Sequence, residues 1–129
     1  MVSRETLPAF EKTRVGQLAS LMRSSTMSQT VHITAVVTVV AEHAVAAEVA
    51  FAACVVASRR EEACRQYVVS KDVEKAGRFV ANEIWASEAG FEAHLAAPHF
   101  KVLGDTLARC GAQAEIMKVQ PLDEAADAA

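Results

Sequence analysis

The sequence predicts an α+β fold in which two strand–helix–strand units share one antiparallel sheet of four strands, with the helices on one of its faces. Three observations lead there. β-Branched residues crowd Val31 to Val40, and shorter runs of strand character recur at Cys64 to Ser70, Arg78 to Ala86 and Ala112 to Val119. Apolar residues at helical spacing fill Glu42 to Arg60 and Pro98 to Arg109. The resulting order of strand, helix, strand, strand, helix, strand is a ferredoxin-like βαββαβ arrangement.

Each element has its own signals. In the first strand Val31, Ile33, Ala35, Val37 and Val39 share one face, and His32, Thr34, Val36, Thr38 and Val40 share the other. The helix after it repeats Val45, Val49, Ala52 and Val56 on one stripe, with Glu42 at its positive end and Arg59 and Arg60 at its negative end. Glu61-Glu62 leads out of that helix. Cys64 to Ser70 and Arg78 to Ala86 pair as a hairpin around the polar turn Lys71 to Gly77. Alternation puts Phe79, Ala81, Glu83 and Trp85 on one face of the third strand and Val80, Asn82 and Ile84 on the other. Ser87 suits the N-cap of a short helix with Phe91 and Leu95 inward. His94 falls beside that stripe. Pro98 opens the next helix, whose inner residues are Phe100, Leu103 and Leu107; Gly111 ends it, and Pro121 stops the last strand.

With 129 residues, 52% of them hydrophobic, the chain has material for one core and not for two ordinary domains. Residues 1–27 read as an N-terminal extension with one short helix over 7–22, residues 28–122 as the domain, and 123–129 as a flexible acidic tail. A net charge of -3 with scattered basic residues argues against nucleic acid. Ala44 to Ala57, interrupted by Glu48, is too short for a confident membrane span. Three cysteines without metal-type spacing and the absence of a continuous apolar leader suggest a reduced, cytoplasmic protein. No metal site is expected, because His94 and His99 stand five apart across a helix break with no cysteine pair in support. Apolar residues on both sides of the strands leave one bare sheet face, which a second copy is expected to cover.

The motifs Glu62-Ala63-Cys64 before Tyr67, Glu83-x-Trp85-x-Ser87, and His94-Leu95-x-x-Pro98-His99-Phe100-Lys101 resemble those of the antibiotic biosynthesis monooxygenase family, especially its quinol monooxygenase-like branch. The likeness runs from about Val31 to Leu122, with Ala63 where the family usually has glycine. It implies a dimeric α+β barrel, a pocket between sheet and helices in each subunit, and Trp85 in that pocket. Val37 falls where some members, haem-degrading relatives among them, have asparagine, and the Pro98 to Arg109 helix lacks a histidine in its second half, so haem is not implied.

Site roles have two readings each. Trp85 can stack on an aromatic substrate or simply fill the core. Glu83, if it faces the helices, either accepts a structural hydrogen bond or has its pKa raised into the range of a general base. His99 can accept a proton or cap a turn, and His94 has the weaker claim to a site role. Tyr67 can donate to a quinone oxygen or fill the sheet, and Phe79 and Val37 complete the expected substrate wall. The function these residues suggest is oxidation of a quinol or polycyclic phenol by O2 without a cofactor. A small-metabolite isomerase and a non-enzymatic dimeric ligand-binding module are the rivals.

Overall fold

The computed structural model describes residues 29–123. Their order is β1 (Val31–Thr38), a 3-10 turn (Ala41–His43), α1 (Ala44–Ser58), β2 (Cys64–Lys71), β3 (Arg78–Trp85), α2 (Glu88–Ala96), α3 (Pro98–Arg109) and β4 (Gln113–Val119). The sheet order is β2-β3-β1-β4, every pair antiparallel, which is the ferredoxin-like topology. The expected helix over 7–22 and most of the acidic tail lie outside the described residues.

Alternation holds along β1 and β3. Val31, Ile33, Ala35 and Val37 are buried, as are Phe79, Ala81, Glu83 and Trp85 opposite them, and Val37 pairs with Phe79. Asn82 lies on the other face, where it accepts a hydrogen bond from Thr34 Oγ1 at 3.2 Å. A register shift between Cys64 and Gln66 breaks the alternation of β2, so Tyr67 is buried against Glu83 while Cys64 still lies opposite Trp85. The β2–β3 hairpin closes at Gly77, whose φ is +89°; a Cβ there would stand 2.5 Å from the Val39 carbonyl oxygen.

The structure selects the inner face of α1 and corrects one expectation on α2. On α1 the valine stripe does not face the core: Val45 and Val49 are 73% and 65% exposed and Val56 also faces solvent, while Ala47, Phe51, Cys54 and Ser58 are buried. The helix is apolar nearly all round, so periodicity could not choose its inner face. Phe51 chose it, its ring meeting Phe79 at 5.0 Å between centroids. By length and composition Ala41–Ser58 could cross a membrane, yet its Phe51 face is spent in the protein's own core. On α2, His94 lies within the buried face and not beside it, being fully covered together with Phe91. Ser87 caps α2 as expected, accepting the Gly90 N–H at 3.0 Å.

Candidate active site

Register divides the expected site residues into two groups. Phe79 and Val37 pair at the Thr38 end of the sheet, whereas Tyr67 opposes Glu83 and Trp85 lies at the Cys64 end. Six residue steps along β3 separate Phe79 from Trp85, roughly 20 Å at about 3.3 Å per residue. One bicyclic ring cannot touch both.

At the first end a groove of about 310 Å³ opens between α1 and the β2 edge. Phe51, Val55, Val69 and Phe79 line it, and Lys71 Nζ meets Glu48 Oε1 at 3.2 Å at its rim. That volume is at the lower bound for small-molecule pockets.

At the second end, strand pleating and helix packing assemble a buried polar and aromatic cluster. Trp85 Nε1 donates to Glu83 Oε1 at 2.9 Å, a bond between residues two apart on one strand face. Burial pushes the Glu83 carboxyl up to about 7, the indole bond opposes the rise, and the nearby Glu61 charge adds to it. Trp85 is wholly covered, with His94 at 4.4 Å, Tyr67 at 6.2 Å and Phe91 at 6.4 Å between ring centroids. The Tyr67 hydroxyl lies 3.7 Å from Cys54 Sγ inside the core, and burial drives its pKa upward. Tyr67 is thus packed within the core.

Glu61, from the loop after α1, stands at the centre of the cluster. Its Oε2 lies 2.7 Å from His94 Nδ1 and 2.7 Å from His99 Nε2. A carboxylate only accepts, so both ring nitrogens carry their hydrogens toward it, and the neutral form of either imidazole has its lone pair on the other nitrogen. For His94 that is Nε2, which is buried and has no partner among the described residues. Burial lowers the His94 pKa and the Glu61 contact works against that shift, which keeps this ring neutral near pH 7. His99 is the more accessible of the two, its side chain 25% exposed against 1% for His94. Glu61 escaped the sequence reading because its partners stand 33 and 38 residues away, and an acidic pair after a helix resembles any solvated exit.

The chain has matches among known proteins. The family model for antibiotic biosynthesis monooxygenases fits residues 30–104, more than half of the chain. The chain belongs to the antibiotic biosynthesis monooxygenase family. A monooxygenase-like function follows at the level of that family. Among solved structures, PA3566 from Pseudomonas aeruginosa superposes with a TM-score of 0.68 and 28% identity, over 75% of this chain and 98% of that one. A variant of SnoaB, a cofactor-independent oxygenase from Streptomyces nogalater, has a TM-score of 0.60 at 18% identity, covering 71% of this chain and 94% of the other, a likeness of fold. None of the curated proteins compared matches the chain. Within the family fold, Ala63 is accommodated by Gly90: a Cβ at residue 90 would stand 2.3 Å from the Ala63 Cβ.

Proposed function

We propose that this family member is a cofactor-independent oxygenase that oxidises a quinol or polycyclic phenol with O2. The observation that carries this reading is the Glu61–His99 pair: a carboxylate 2.7 Å from Nε2 of a partly exposed imidazole, which leaves Nδ1 as a proton acceptor beside an aromatic core. His99 takes the phenolic proton while Glu61 stabilises the imidazolium that forms. The electron-rich anion gives one electron to O2, the superoxide and ring radicals combine as a ring hydroperoxide, and loss of water leaves one oxygen atom on the ring. Glu83, poised near neutrality and dry, is the second candidate for the proton. His94 holds Glu61 from the buried side, and Trp85 holds His94. Cys54, Cys64 and Cys110 are all free thiols, in keeping with a cytoplasmic setting.

Oxygen uptake with a panel of hydroquinones and naphthols tests this. The wild type should consume O2, His99→Ala should lose about 10²- to 10⁴-fold of that rate, and Glu61→Gln should fall between them. No uptake with any panel member, or full uptake by His99→Ala and Glu83→Gln alike, would refute it.

The apolar groove favours a second reading, a ligand-binding module for an aromatic ring held against Phe51 and Phe79. A quinol that raises the thermal midpoint of wild type and His99→Ala equally, but not of Phe51→Ala, would support it. In either reading the bare sheet face packs on a second copy. Val68, Met117 and Val119 are exposed there and Val36, Val80 and Ile84 are half-covered, an apolar surface suited to a homodimer seam.

A further inference from the structure

We infer that Glu61, His94 and His99 form a binding site for a divalent transition-metal ion of the zinc class. One oxygen and two imidazole nitrogens from three separate segments converge there, all three ligand atoms within 4.8 Å of one another. Two nitrogens and one carboxylate are the donor set that suits Zn²⁺, Co²⁺ or Fe²⁺ and is poorly matched to Mg²⁺ or Ca²⁺, which prefer oxygen.

The ligand atoms must shift by up to about 1.4 Å, because the two imidazole nitrogens, within 4.8 Å of each other, would close to about 3.4 Å. In a four-coordinate site with bonds of about 2.1 Å the ligand atoms stand roughly 3.4 Å apart, so the two 2.7 Å contacts of Glu61 Oε2 would each widen by less than about 1 Å. The fixed ligand is already held in place, since the His94 ring packs against Trp85 at 4.4 Å, Phe100 at 4.9 Å and Tyr67 at 5.3 Å. Coordination through Nδ1 moves the His94 proton to Nε2, and because Nε2 has no partner among the described residues, that move breaks no hydrogen bond there. Glu61 and His99 remain partly open, at 16% and 25% side-chain exposure, so an ion has a way in and a fourth position stays on the solvent side. Loading also puts the remaining His99 proton on Nδ1. A bound ion and a proton-accepting His99 therefore exclude each other.

The test reads binding, so its outcome is separate from that of the oxygen-uptake assay. Untagged full-length wild type, His99→Ala and Glu61→Gln are dialysed against chelator and titrated with Zn²⁺ by calorimetry and with Co²⁺ by visible absorption at pH 7.5. Wild type should take up one equivalent, with the d–d bands of nitrogen and oxygen ligation for Co²⁺, and each variant should bind at least tenfold more weakly while keeping its circular dichroism. Uptake that is absent from wild type, or unchanged in both variants and hence due to exposed groups such as the Glu42–His43 pair, would overturn the proposal. His94→Ala is avoided because that ring fills the core.

Discussion

Glu83 shows how one side chain links burial to pH. Its carboxyl is driven up to about 7 mainly by loss of water, from an ordinary value of 4.5. The folded state therefore holds this proton more tightly than the unfolded chain. The associated stability is complete below about pH 4.5 and is lost as pH rises through about 7. At 1.36 kcal/mol per pKa unit the loss is about 3 kcal/mol. Glu83→Gln keeps an acceptor for the Trp85 N–H and removes the titration, so its thermal midpoint should exceed that of wild type at pH 8 and approach it at pH 5. Parallel midpoint curves would contradict that assignment. His94 acts with the opposite sign: its lowered pKa means that acid, by charging a buried ring, destabilises the fold.

At the scale of elements, the α2 start and the β2 start are fitted to each other. Ala86 N–H donates to the Ala63 carbonyl at 2.8 Å, and Gly90 lies directly over the Ala63 methyl. Gly90→Ala should cost about 1–3 kcal/mol by overpacking, and Ala63→Gly in the same chain should restore most of it. Urea unfolding of the two singles and the double measures this; additive losses would rule the contact out as the cause. In β1, β3 and α3 the sequence was legible because strand alternation and the Phe100, Leu103, Leu107 stripe sort residues by face, whereas the register shift in β2 was not. The rotation of α1 was not, since alanine and valine surround it and only Phe51, by its volume, distinguishes inside from outside.

For the whole molecule, a single sheet with helices on one side has a second face to account for. Sedimentation should give a dimer, twice the 13.8 kDa of the chain, and Val80→Glu, at the middle of the bare face opposite Val36, should yield a folded monomer. A wild type that sediments as a monomer at micromolar concentration would refute the sheet-on-sheet pairing. The molecule also separates two prospective sites, the Phe51–Phe79 groove and the Glu61 cluster, to opposite ends of one sheet.

Local order was written in the sequence itself: the βαββαβ succession, the inward side of β3 that carries Glu83 and Trp85, the Ser87 cap and the Pro98 start each depend on residues within a few positions of one another. The meeting of Glu61 with His94 and His99 and the turn of α1 about its axis depend on packing between segments tens of residues apart. Short-range steric and hydrogen-bonding preferences act along the chain and can be read from it. Which carboxylate reaches which imidazole is decided only when the helices settle on the sheet and their largest side chains fill the space between.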